Sequence, residues 1–470
     1  MVIGRLADAV TRGVGDMAAS VTDVFDPTIR LGVTGLSRAG KTVFITSLVA
    51  NLIDRGRMPG FAAGARIETA FLQPQPDDTV PRFDYEAHLA DLTARDPRWP
   101  DGTRAVSELR LSLKVRPAGL LSGMRGVRTV HLDIVDYPGE WLLDLGLMEK
   151  SYDAWSARAL TRLSDWGATD YAVAMEAADG AAKLDEPQAQ SLARAYTAAL
   201  QAARAAGAYD LTPGRFLLPG ELEGSPVLTF APLPPGDAPR GSLRREMERR
   251  FEAYKRQVVE PFFRDHFARL DRQIVLLDVL GAIRRGPRAV EEMRAAMADL
   301  LAAFKPGALG WLMQLLGARR VDRVLFAATK ADHLHHAQHA KLTAILEAMV
   351  REARSRADFA GAQTRAMSMA ALRATVEEER GHNGTTLQVV RGRLLQPDGT
   401  AGRSAALYPG ALPDDPAHLL TPARAGAEAW LDGEYDLMDF APAPLTLRPG
   451  EGPPHIRLDR AAEFLLGDRL

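Results

Sequence analysis

Residues 30–53 read RLGVTGLSRAGKTVFITSLVANLI, a short apolar run, a loop bounded by glycines and a helix-spaced apolar stretch. Leu31-Gly32-Val33 fits a buried strand, and Val43, Phe44, Ile45, Leu48, Val49, Leu52 and Ile53 follow at helical spacing. Gly35 to Thr42 between them matches G-x-x-x-x-G-K-[ST]. Gly35 and Gly40 are expected to take backbone angles closed to other residues. The N–H groups from Ser37 through Arg38, Ala39, Gly40, Lys41, Thr42 and Val43 can then line a phosphate chain. The new helix adds its positive end there. Lys41 is expected to reach the β- and γ-phosphates, and the Thr42 hydroxyl to ligate Mg²⁺. A strand, loop and helix of this kind calls for an α/β fold with a mostly parallel sheet.

At 470 residues the chain is too long for one compact core, so added regions are expected. A net charge of −2 gives no global basic field, and no nucleic-acid partner is expected. The absence of cysteine removes disulfides and thiolate chemistry and fits a cytoplasmic protein. Basic residues are mostly arginine, which makes lysines inside lysine-requiring motifs informative. No apolar run is long enough to cross a bilayer; the nearest approach, residues 307–318, reads as a buried or partner-facing helix. Residues 2–25 carry an apolar helical stripe, Ile3, Leu6, Val10, Val14, Met17, Val21 and Val24, expected to dock on the same protein. Peripheral contact with a membrane or a partner is the lesser alternative for it.

Two further motifs follow strands. Val130, Leu132 and Ile134 lead into Asp136-Tyr137-Pro138-Gly139, a D-x-x-G whose carboxylate can hold Mg²⁺ and whose glycine N–H can sense a γ-phosphate. The strand 321–328 delivers Thr329-Lys330-Ala331-Asp332. A carboxylate there can accept from N1–H and the 2-amino group of guanine, donors that adenine lacks, and the Lys330 stem can lie along the base. Thr329 stands where Asn is usual and makes fewer hydrogen bonds. The strand ending at Ser368 leads into a candidate base-contacting loop. His335 and His339 are expected to share a helical face, which permits metal binding, but no carboxylate or further ligand is spaced to complete a site, so they read as surface or packing histidines.

The expected organisation is an N-terminal helix (1–27), a first nucleotide-binding part (28–140), a helical insertion (141–267), a second nucleotide-binding part (268–380), a β-hairpin addition (381–455) and a closing helix (456–470). A polar, partly helical stretch is expected over 57–100, and a proline-rich loop or linker over 213–239.

Phosphate loop, D-x-x-G and T-K-x-D in this order resemble a Ras-like GTP-binding domain. More narrowly, VTGLSRAGKT, WPDGTRAVSELRL, DYPGEWLLDL, TKADH and HIRLDRAAEFLLGDRL resemble the bacterial YcjX-like family over nearly the whole chain. The resemblance implies a P-loop NTPase of α/β class with a helical insertion and an added β-hairpin, binding GTP or GDP with Mg²⁺ and hydrolysing slowly. It implies an association with envelope or cell stress, a protein effector, and an inner-membrane protein as genomic neighbour, so a peripheral place at the inner membrane stays open. It makes Thr103 the switch threonine that approaches Mg²⁺ and the γ-phosphate. Glu140 occupies the place where small GTPases carry a water-orienting glutamine, and Arg38 is positioned to supply positive charge within the loop; these two are the catalytic candidates. Two function classes compete with a GTPase switch: an ATP-dependent P-loop NTPase, and a binding module with negligible turnover.

Overall fold

The computed structural model describes residues 26–36, 38–103, 105–117, 126–266, 269–302, 321–359, 361–382, 384–430 and 435–470. The expected helix over 2–25, the apolar segment 307–318 and Ser37 lie outside the described residues.

The strands in chain order are β1 (Thr28–Gly35), β2 (Ile67–Gln73), β3 (Ser107–Val115), β4 (Arg128–Asp136), β5 (Arg272–Leu277), β6 (Arg323–Ala328), β7 (Gln363–Ser368), β8 (Val376–His382), β9 (Thr385–Leu395) and β10 (Ala401–Leu407). The first seven form one sheet in the order β2-β3-β4-β1-β5-β6-β7. β1, β4, β5, β6 and β7 are parallel, and β3 runs antiparallel to both β4 and β2. The last three form a separate antiparallel sheet, β10-β9-β8. The main helices are α1 (Lys41–Ile53), α2 (Tyr85–Thr93), α3 (Gly139–Leu143), α4 (Tyr152–Asp165), α5 (Thr169–Glu176), α6 (Glu186–Ala206), α7 (Leu243–Tyr254), α8 (Glu260–Asp265), α9 (Val279–Arg285), α10 (Pro287–Ala302), α11 (His339–Met349), α12 (Arg351–Phe359), α13 (Ala417–Arg424) and α14 (Leu458–Leu466).

Parallel strands are covered on both faces, which is why β5 reads as a continuous apolar run. Its alternate residues go to different cores. Ile274 and Leu276 join Leu31, Val33, Ile45, Leu48 and Leu52 with Leu458, Leu465 and Leu466 of α14. Val275 and Leu277 join Trp155, Tyr196, Phe230 and Phe251 of the helical segment between β4 and β5. That segment therefore covers one face of the seven-stranded sheet and shares its core. Arg272, fully buried, fastens α14 to the other side, bonding the Leu465 carbonyl at 2.9 Å and the carboxylates of Asp322 at 2.8 Å and Asp468 at 2.9 Å.

Several local expectations differ from the structure. β2 forms an edge strand inside the stretch read as polar and partly helical; its exposed Glu68 and Thr69 hide the alternation. The apolar sequence over 273–280 is strand only as far as Leu277, because the Asp278 side chain accepts from Gly281 N–H and caps α9. Within the expected helical insertion, α7 and α8 are separated by a π-turn, Lys255–Val259, before Pro261, which lacks the N–H that a regular ladder needs. The proline-rich stretch is not a surface linker throughout: Phe230 and Ala231 are fully buried, and the hydroxyls of Tyr152, Tyr171 and Ser156 donate to the carbonyls of Ala231, Pro232 and Leu233. The added hairpin, β9 and β10, carries a third strand, β8, which begins at Val376, ahead of the expected boundary at 381.

Candidate functional site

The motif-bearing loops all leave the C-terminal ends of parallel strands, where open α/β sheets bind their ligands. The phosphate loop follows β1, Asp136-to-Gly139 follows β4, Asp278 follows β5, Thr329-to-Asp332 follows β6 and Ser368 ends β7.

In the phosphate loop, Arg38 (φ 64°) and Gly40 (φ 80°) both take left-handed backbone conformations, the curvature that turns consecutive N–H groups to one side. For Arg38 this costs about 1–2 kcal/mol, a strain of the kind stored at functional turns. The glycines differ from expectation in one respect. Gly40 is required by its φ, whereas Gly35 is required by space: a Cβ there would stand 2.7 Å from the Leu276 carbonyl oxygen. Lys41 donates to the Gly35 carbonyl at 3.1 Å, so its ammonium is folded over the loop. The Arg38 side chain is exposed and Ala39 is buried.

Of the three residues expected to serve Mg²⁺, Thr103 and Asp136 meet directly, and Thr42 reaches the segment just before Thr103. The Thr103 hydroxyl donates to Asp136 Oδ2 at 2.6 Å, and the Thr42 hydroxyl donates to the Asp101 carbonyl at 3.3 Å, two residues from Thr103. Asp136 Oδ1 is buried without a hydrogen-bond partner among the described residues. Burial pushes the Asp136 carboxyl up to about 6, against the pull of the Lys41 charge and the Thr103 bond. A buried carboxylate oxygen with no donor, on a carboxylate that already holds the Thr103 hydroxyl, fits a hard divalent cation.

Gly139 opens α3 against the phosphate loop; a Cβ on it would lie 2.1 Å from the Gly35 carbonyl oxygen. The next side chain, Glu140, is buried, and Arg204 of α6 donates to its Oε1 at 2.9 Å. The expected water-orienting position is thus engaged by the helical segment.

At the base motif, Lys330 (φ 59°) donates to Asp278 Oδ2 at 2.7 Å and to Asp439 Oδ1 at 3.3 Å. Burial alone would raise the Asp278 pKa, yet the charge and hydrogen bond of Lys330 hold it below the usual range. Burial likewise opposes the charge on Lys330, and the two carboxylates outweigh it, so its pKa is raised. Thr329 bonds the Leu277 carbonyl through N–H at 2.9 Å and hydroxyl at 3.3 Å. Asp332 is buried, with Oδ2 accepting from Ala374 N–H at 2.8 Å. The Ser368 hydroxyl meets the His339 carbonyl, Thr343 and Arg457, so its bonds are internal, while Met369 beside it accepts from Ala331 N–H. His335 and His339 do not share a helical face, since His335 is extended (ψ 144°) and His339 Nε2 lies 2.7 Å from the Ala331 carbonyl.

Sequence reasoning missed Asp278, Asp439 and Arg204. Asp278 carried a readable signal, a lone aspartate closing an apolar strand run. Asp439 and Arg204 carried none, since each reaches its partner from a distant segment.

Among the described residues no helix is long and apolar enough to cross a membrane. The YcjX-like family, DUF463, matches residues 29–470. A protein of Escherichia coli (strain K12) named Ras-like GTPase YcjX is 36% identical over 476 residues, covering 97% of this chain and 98% of its own length. A protein of the same name from Shewanella oneidensis is 35% identical over 475 residues, covering 95% of each. Phosphate loop, strand-end carboxylate and base motif occupy one edge of a Ras-like sheet, and the match runs through the added regions as well; the chain belongs to the YcjX-like family.

Proposed function

We propose that the protein binds GTP and GDP with Mg²⁺ and hydrolyses GTP as a nucleotide-dependent switch. The observation that carries this reading is the meeting of Thr103 with Asp136 at 2.6 Å, beside an unpartnered Asp136 Oδ1. In this reading residues 37–43 hold the phosphates, Thr42, Thr103 and Asp136 hold Mg²⁺, and Gly139 N–H senses the γ-phosphate. Bound Mg²⁺ would supply charge neutralisation between the phosphates. Thr329, Lys330 and Asp332, with the backbone after Ser368, hold the base. Arg38 supplies positive charge in cis, so Arg38→Ala reduces turnover far more than GDP affinity; equal losses would remove it from the mechanism.

The regions outside the nucleotide sheet, the helical segment 141–267 and the addition 381–455, are proposed to display the bound state to a protein effector. The family resemblance extends this to a stress response at the inner membrane.

The discriminating experiment is binding of GDP and a GTP analogue against ADP and an ATP analogue, with Mg²⁺, repeated on Asp332→Asn. Guanine preference that moves towards xanthine in the variant supports the reading. Adenine binding indifferent to the substitution overturns it in favour of an ATP-dependent NTPase. Tight guanine binding without single-turnover hydrolysis leaves a binding module.

A further inference from the structure

Directly beyond the base motif the chain places two histidines against a carboxylate from β8. We propose that His335, His336 and Glu377 form a binding site for a borderline divalent transition cation, Zn²⁺ above all, distinct from the Mg²⁺ site and clamping β8 to the base-recognition loop.

The backbone brings these ligands together from both sides. Leu334 is fully buried and His335 is extended, so the buried His335 ring and the largely exposed His336 ring turn towards each other, with centroids 4.3 Å apart. Glu377, second residue of β8, is carried over them by the 370–375 turn, which Asp332 holds by accepting from Ala374 N–H and the Thr375 hydroxyl. His336 Nδ1 lies 2.5 Å from Glu377 Oε2, His335 Nε2 lies 3.8 Å from the same oxygen, and one ligand atom from each residue falls within 4.8 Å of the others. Zinc bonds of about 2.0–2.1 Å in a tetrahedron set ligand atoms about 3.4 Å apart, so the cluster closes on an ion with small side-chain adjustments.

The donor set selects the metal. Two imidazole nitrogens and one carboxylate oxygen suit Zn²⁺, whereas Mg²⁺ demands oxygen ligands in octahedral array. Arg373 reaches the other oxygen, Oε1, at 3.4 Å and so orients the carboxylate with Oε2 towards the histidines. Burial works against the Glu377 charge, but the His336 bond and the Arg373 charge keep the carboxyl below its ordinary range and ready to ligate. Ligation through His335 Nε2 moves that ring's proton to Nδ1 and exchanges a long contact, 3.4 Å from Ala337 N–H. His336 is open to solvent, which gives the ion a route in.

The test uses the untagged full chain, stripped with a chelator and titrated with Zn²⁺ against a chromophoric competitor in excess Mg²⁺. One equivalent is expected to bind, with affinity lowered about ten- to a hundredfold in His336→Gln and in Glu377→Gln and unchanged in His418→Gln. Co²⁺ in place of Zn²⁺ is expected to give a visible d–d spectrum that both variants abolish. Equal Zn²⁺ affinity in the wild type and the two variants, or a Co²⁺ spectrum indifferent to them, overturns the site. His336 is mostly exposed, so its substitution tests ligation without disturbing packing.

Discussion

Arg204 and Glu140 meet at 2.9 Å although 64 residues separate them, joining the helix that covers one sheet face to the turn that follows Asp136 and Gly139. The Glu140 side chain is only 4% exposed, so Arg204 supplies a hydrogen bond that water would otherwise give.

Arg204→Ala is therefore expected to destabilise the protein by about 1–3 kcal/mol, the cost of leaving a buried carboxylate without its donor. Adding Glu140→Gln should recover part of the loss. Denaturant midpoints of the two single variants and the double variant form the cycle, and simple additivity would mean that the pair carries no coupling.

Gly139 has no room for a side chain because the obstruction is the Gly35 backbone. Gly139→Ala is expected to lift the turn off the phosphate loop, weakening GTP-analogue binding by about tenfold, or 1.4 kcal/mol, with a smaller effect on GDP. Fluorescent-nucleotide titrations check this, and equal losses for both nucleotides would place the contact outside γ-phosphate sensing.

Two buried carboxylates set a pH dependence. Burial raises Asp144 to about 7, against bonds from the Tyr254 hydroxyl and Gly214 N–H, and raises Asp136 to about 6. The folded state holds these protons more tightly than the unfolded chain does. Their contribution to stability is complete below about pH 4 and is lost as pH rises through about 6 to 7. Asp144→Asn should flatten that decline, as followed by denaturant midpoints from pH 5 to 8. In the proposed site Mg²⁺ binds the ionised Asp136, so Mg²⁺-dependent nucleotide affinity should fall as pH drops through about 6.

The sequence made the nucleotide half readable because its signals are local. Gly35 to Thr42 lies between a strand and a helix, β4 alternates the apolar Val130, Leu132 and Ile134 up to its motif, and β6 is a short apolar run that leads into its own. What escaped depends on contacts far along the chain. β2 shows as a strand only through its pairing with β3, since an edge strand keeps polar residues on its open side. The burial of Phe230 and Ala231 requires hydroxyls from α4 and α5. At the site, Lys41, Thr42 and Asp136 followed from motif chemistry, but the engagement of Lys330 by Asp278 and Asp439, of Glu140 by Arg204, and of His336 by Glu377 had no local pattern to announce it.

The docking of α14 beside α1 sets a timetable for the growing chain. Gly60 N–H bonds the Asp459 carboxylate across 399 positions, and Asn51 bonds the Pro453 carbonyl across 402. Ribosomes add about 5–20 residues per second, so α1 waits about 20–80 s for the helix that covers its neighbourhood. During that interval the surface awaiting Leu458, Leu465 and Leu466 faces the surroundings. Exposed apolar surface of this kind makes newborn copies on one message prone to adhere to each other, and a chaperone that shields it is expected to raise the yield of folded protein.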